Sequence, residues 1–184
     1  MKHLTRIACA VLISLAISAQ ASDFSISSPS LKIGGSLPQI HVFNGFGCVG
    51  DNKSPALSWQ NAPTGTQSFA ITTYDPDAPT GSGWWHWVVY NIPASVQSLN
   101  EGAGQASGQQ LPSGATQGKT DFGSVGFGGA CPPAGDKPHR YIFTVHALKT
   151  SKLDLPPDAS AAMVGYMIHL NKLGSTSLEV IYGR

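Results

Sequence analysis

Two prolines and two aspartates within Tyr74-Asp75-Pro76-Asp77-Ala78-Pro79 interrupt the most strand-like part of this sequence. On either side, Ser68 to Tyr74 and His86 to Ile92 are rich in Phe, Ile, Thr, Tyr, Trp and Val, the residues that suit a pleated, half-buried surface. Proline cannot donate to a strand ladder, so the first strand must stop near Asp75 and the chain must turn before it restarts at His86. Consecutive strands usually lie side by side, which puts Asp75, Asp77 and His86 at one end of the pair. Carboxylates and an imidazole gathered at a strand end perturb one another's protonation, and that marks a candidate site.

The chain opens with Lys2 and Arg6, an apolar run from Ile7 to Ile17 and the small-residue pattern Ala19-Gln20-Ala21. That order reads as a secretory signal peptide over residues 1–21, with the mature chain starting at Ser22, because the apolar run is too short to span a bilayer. The expected product is one domain over residues 22–184, periplasmic or secreted, with no stable membrane anchor. Without Lys2 and Arg6, the eleven basic residues fall below the ten acidic ones, so the chain carries no nucleic-acid footprint. Cys9 leaves with the leader, and Cys48 and Cys131 remain. In an oxidising compartment such a pair is most simply a disulfide. The rival is a metal-thiolate site, ranked lower because the short-spaced cysteine pairs of structural zinc sites are missing.

Short strands are expected at Phe24 to Ser27, at Leu31-Lys32-Ile33 and at Ala56 to Trp59, with a further one near Ala115 to Gln117 inside an otherwise irregular stretch from Pro93 to Gly129. Asn52-Lys53-Ser54 matches a glycosylation sequon, with Pro55 behind it. His139 to Leu148 is the longest strand signal, and its period of two turns His139, Tyr141, Phe143 and Val145 to one face. A helix is expected from Ala159 to Lys172, capped by Asp158, stopped by Gly174, and packed through Met163, Tyr166, Met167 and Leu170. Leu178 to Tyr182 reads as the closing strand.

Tyr74-Asp75-Pro76-Asp77-Ala78-Pro79, the strand opened by His86, and Pro132-Pro133-x-Gly135-x-x-x-His139-Arg140-Tyr141 together resemble the phosphatidylethanolamine-binding protein family. The resemblance is closest to its bacterial exported branch, typified by YbhB/YbcL-like proteins, and extends to Asn52-x-Ser54-Pro55-x-Leu57-x-Trp59. It implies a mainly β fold: a central antiparallel sheet, a second smaller sheet and few peripheral helices. It also implies a small pocket for anionic groups such as a phospholipid head-group phosphate. Carried over by motif, Asp75, His86, His139 and Tyr141 form that pocket, and Asp77, Pro76 and Pro79 shape its rim.

Histidines and a Tyr hydroxyl can donate to phosphate oxygens, so binding of a small anion is the first functional expectation. Asp75 would then accept from His86, fix its tautomer and favour its charged form, and affinity should rise as pH falls through the histidine range. A secreted inhibitor or interaction protein, acting on a protease, kinase pathway or host factor through loops such as Gly102 to Gly118, is the alternative. Metal-assisted hydrolysis by Asp75, Asp77, His86 and His139 ranks below both, since no H-E-x-x-H and no Gly-x-Ser-x-Gly is present. The sequence calls for no cofactor and no resident metal.

Overall fold

The computed structural model describes residues 23–184, so the leader read over residues 1–21 and the start at Ser22 lie outside the described residues. The first half holds short strands β1 (Ser25–Ser27), β2 (Asn44–Gly45), β3 (Cys48–Val49) and β4 (Leu57–Gln60), then the long β5 (Ser68–Asp75) and β6 (Trp84–Pro93). After them come β7 (Ser98–Leu99), β8 (Thr116–Gln117), β9 (His139–Leu148), the helix α1 (Ala161–Asn171) and β10 (Lys172–Tyr182). One antiparallel sheet runs β10-β9-β5-β6-β8, a second runs β1-β4-β7, and β2 and β3 form a separate hairpin. The mainly β, antiparallel architecture is therefore the one expected.

Alternation explains the layering. β9 buries His139, Tyr141, Phe143 and Val145 and turns Arg140 to solvent. Residues opposite one another on paired strands share a face, so Ile71 opposite Val145 sets that face of β5 as well. It meets Leu57, Trp59 and Leu99 of the smaller sheet in the main core. Ala70, Val88, Tyr90 and Leu148 on the other face are covered by Ala161, Val164 and Ile168 of α1.

Several local expectations are corrected. Ser160, not Asp158, caps α1, its hydroxyl accepting from the Met163 N–H at 3.2 Å, and the chain passes into β10 at Lys172 without stopping at Gly174. Of the expected packing stripe, Met163, Tyr166 and Leu170 are 48%, 61% and 48% exposed, and only Met167 reaches the core. The helix is apolar on more than one side, so its period could not select the buried face. Close packing selects it, because at Gly165 an added Cβ would sit 3.3 Å from the Trp85 ring. Leu31 to Ile33 pairs with nothing as a strand; the segment after it is tied to β10 by Gly34 N–H to Glu179 O and Leu37 N–H to Ile181 O. Asn52 is no free sequon: its side chain donates to Phe127 O and accepts from Gly129 N–H. Cys48 and Cys131 form the expected disulfide, closing a separation of 83 residues with Cα atoms 5.9 Å apart.

Candidate functional site

Asp75 ends β5 with its carboxylate turned back into the protein. Oδ1 accepts from the N–H groups of Asp77 at 2.8 Å and Ala78 at 3.0 Å, the local bonding by which aspartate fixes a turn. Oδ2 lies 2.8 Å from Nδ1 of His139, at the buried start of β9. The partner expected for Asp75 was His86, and this is a correction. His86 instead directs Nδ1 to the Gly128 carbonyl at 2.7 Å, and Gly128 N–H returns a bond to the His86 carbonyl at 2.8 Å. A carbonyl only accepts, so Nδ1 carries the proton. Among the described residues, His86 Nε2 makes no hydrogen bond.

A β-bulge puts His86 where it is. Thr73 pairs with Trp87 and Tyr74 with Trp85, so His86 is the extra residue on β6. Strict alternation would send it with Val88 and Tyr90 toward α1, but the bulge places it on the same side as Trp87, its ring edge-on to Tyr141 at 5.1 Å. Gly128 is needed for this approach, since a Cβ there would overlap the Phe122 ring.

Asp75, His86, His139, Tyr141 and Pro79 line one cavity of about 220 Å³. The structure thus brings together two segments that the sequence left apart. Tyr141 is 2% exposed and its hydroxyl is buried with no hydrogen-bond partner. Burial and then the Asp75 charge push its pKa up, so it remains a donor. Burial pulls His86 below its ordinary 6.5; the Gly128 carbonyl and the Asp75 charge oppose this without reversing it. Asp75 thus favours the charged form of His86, as expected, but burial outweighs it.

Asp77 and Pro76, expected at the rim, do not line the cavity. Asp77 faces outward and takes Arg140 in a forked pair, with Nη2 at 2.7 Å and Nε at 2.9 Å, and the Arg140 N–H adds a third bond at 2.9 Å. Asp75–His139 and Asp77–Arg140 together clamp the turn onto the start of β9.

The walls are apolar and include residues that the motifs did not mark. Trp84, Phe46 and Phe122 join Pro132 and Pro133 around the mouth. Phe46 is the exposed tip of the β2–β3 hairpin, and the disulfide fastens that hairpin beside Pro132. Arg184 adds a second brace, Nε donating to Pro132 O at 2.7 Å and Nη2 to Phe46 O at 3.1 Å. The only advance signals were the loop glycines around Phe46 and the cysteine beside the proline pair. Elsewhere, His41 is buried between Ser30 Oγ and Lys53 O, and His146 bonds Thr72 Oγ1 at 3.0 Å. No cluster of three metal-ligating side chains occurs among the described residues.

A family model described as phosphatidylethanolamine-binding protein matches residues 27–183. The chain is 54% identical to YbcL of Escherichia coli K12 over 178 residues, 97% of each chain, and 52% identical to YbhB of the same strain over 155 residues, 84% of this chain and 97% of that one. It is also 33% identical over 148 residues to the putative lipoprotein LppC of Mycobacterium tuberculosis, covering 80% of this chain and 66% of that protein. The crystal structure of E. coli YbcL, described as a new member of the mammalian family, matches with a TM-score of 0.87 over 89% of this chain and 99% of that chain. With the fold, the paired motifs and the full-length relatives in agreement, the chain belongs to the phosphatidylethanolamine-binding protein family.

Proposed function

We propose that this chain is an exported protein that binds a small anion, of phosphate or phospholipid head-group type, in the cavity between the Asp75 turn and the start of β9. The observation that carries the reading is the convergence of His86, His139 and Tyr141 on one cavity, where His86 is held through Nδ1 by the Gly128 carbonyl and, among the described residues, makes no hydrogen bond through Nε2. Asp75 contributes from behind, holding the His139 ring rather than meeting the anion. Export is supported by the leader pattern of residues 1–21, by the disulfide, and by a relative named as a putative lipoprotein. The reading is one of binding without catalysis. Calorimetric titration with phosphate, phosphoethanolamine and acetate at two pH values, alongside His86→Ala and His139→Ala, tests it. Saturable binding that strengthens at the lower pH and is lost in both variants is the expected result; no binding of any of the three overturns it.

A second reading, a protein partner engaged through surface loops, draws on Phe46 and Val49, which are 69% and 80% exposed on the disulfide-held hairpin. It predicts that Asp75→Ala and His139→Ala leave the biological activity intact while changes in the hairpin or in the Gly102 to Gly118 loop abolish it.

A further inference from the structure

The anion reading involves no catalysis, but a second pair of side chains, neither of which lines that cavity, has the geometry of a nucleophile and its base. Ser30 lies between β1 and the short 3-10 turn Gln39–His41, and its Oγ is 2.9 Å from Nε2 of His41. His41 Nδ1 is 2.7 Å from the Lys53 carbonyl. A carbonyl only accepts, so Nδ1 carries the proton and Nε2 of the neutral ring is a lone pair. The Ser30 hydroxyl is then the donor. Its proton already points at a base whose tautomer a third group has fixed, which is the arrangement that activates a hydroxyl. His41 is fully buried and Ser30 half-buried, so the base is shielded while the hydroxyl stays within reach of solvent. Thr72 Oγ1 makes a similar contact with His146 Nε2 at 3.0 Å, but Thr72 is itself buried and nothing fixes the His146 tautomer, since its Nδ1 has no partner.

We propose that Ser30 is a nucleophile with His41 as its general base, and that it accepts an acyl group from an activated carboxylic ester. Ser30 Oγ attacks the ester carbonyl carbon and its proton passes to His41 Nε2. Collapse of the tetrahedral adduct breaks the bond to the alcohol oxygen, which leaves with the electron pair and takes the proton from Nε2. Water then repeats the cycle on the acyl-serine and releases the acid. The Leu31 N–H, the backbone donor directly after the nucleophile, makes no hydrogen bond among the described residues, so it is not committed elsewhere when the oxyanion forms. The charged side chain that acts on the His41 ring is Glu101, in the turn after β7, and it favours the proton, as does the Lys53 carbonyl. Burial outweighs both and holds the ring below its ordinary 6.5, so the base is free at neutral pH. A carbonyl orients the ring but stabilises its protonated form less than a carboxylate would. The expected chemistry is therefore slow acyl transfer from activated esters.

The test incubates the unmodified mature protein with p-nitrophenyl acetate, quenches in acid and locates the acetyl group by peptide mass mapping. Acetylation at Ser30 is the expected result, with release of p-nitrophenolate falling at least about tenfold in Ser30→Ala. Between about pH 7 and 8.5 the rate at Ser30 should be level, because His41 is already unprotonated; a serine without a base reacts as its alkoxide and would speed up about tenfold per pH unit. No acetyl group on Ser30, or one on Ser28, whose hydroxyl lies 3.4 Å away, overturns the inference. So does a rate at Ser30 that climbs about tenfold per pH unit. The mapping and the pH profile need no variant, so a folding defect in Ser30→Ala cannot shield the proposal, and neither outcome bears on anion binding in the cavity.

Discussion

β9 carries two histidines on opposite faces, His139 buried and His146 half-buried, and their surroundings differ. His139, on the cavity side, has a carboxylate on one ring nitrogen and a second carboxylate near the other. His146, on the side toward α1, has only the Thr72 hydroxyl, and its Nδ1 is buried without a partner. Burial, reinforced by the Lys172 charge, lowers the His146 pKa to about 4. Burial by itself therefore makes an imidazole a neutral polar spacer. A ring becomes part of a site when one nitrogen is held by an acceptor and the other faces a cavity, as at His86 and His139.

The cavity face is held by cross-links, the helix face by packing, and removing the cross-link should show the largest effect. Replacing both Cys48 and Cys131 with Ser should cost about 4 kcal/mol, measured as a shift in urea unfolding midpoint, since the disulfide closes 83 residues. A loss below about 1 kcal/mol would mean that Arg184 and the surrounding packing hold the hairpin without it.

The helix face should show itself in acid. The unfolded chain protonates His146 near 6.5 and the folded chain only near 4, so its contribution is complete above 6.5 and is lost as pH falls toward 4. The difference amounts to roughly 3 kcal/mol. His41 and His86 are shifted by burial in the same direction, so the quantity to measure is the difference between the native and His146→Gln stability curves. Curves that run parallel from pH 7 to 4 would erase the contrast between the two faces of β9.

Ligand affinity sharpens the contrast from the other side. His139→Gln should weaken phosphate binding by about a hundredfold, near 2.7 kcal/mol, whereas His146→Gln should leave it within about twofold. Equal losses in the two variants would indicate a general disturbance of β9.

What the sequence made legible follows from what sets each feature. The Asp75 turn, the strands flanking it and the two faces of β9 come from proline chemistry and a period of two, both local, and they stand in the structure at nearly the expected residues. The His86 orientation was hidden because one bulged residue inverts the alternation. So was the choice of His139 over His86 as partner of Asp75: both histidines are chemically suitable, and the deciding group is the Gly128 carbonyl, supplied by an irregular loop. The buried face of α1 was misread because Met163, Tyr166 and Leu170 are as apolar as the residues that pack, and a glycine facing Trp85 settles the matter. Phe46 is held at the mouth by a disulfide and by the two carbonyl contacts of Arg184, which leave no periodic trace.

The smallest effect concerns the clamp outside the cavity. Asp77 is pulled down from 3.8 to about 2, chiefly by its hydrogen bond from Arg140, so the folded state holds that proton less readily than the unfolded chain. Its stabilisation is therefore complete above about pH 4 and is lost as pH falls toward 2, below the range in which His146 acts. The pair is largely solvent-exposed, so screening reduces its worth to about 1 kcal/mol or less for Asp77. Asp77→Asn should lower stability slightly at pH 7, less at high salt, and progressively less as pH falls through about 2. Because Asp77 fixes the turn that carries Asp75, the variant should also loosen phosphate binding a few-fold without abolishing it. A loss as large as that in His139→Gln would move Asp77 into the binding site and break the division between a cavity that meets the ligand and a clamp that only positions it.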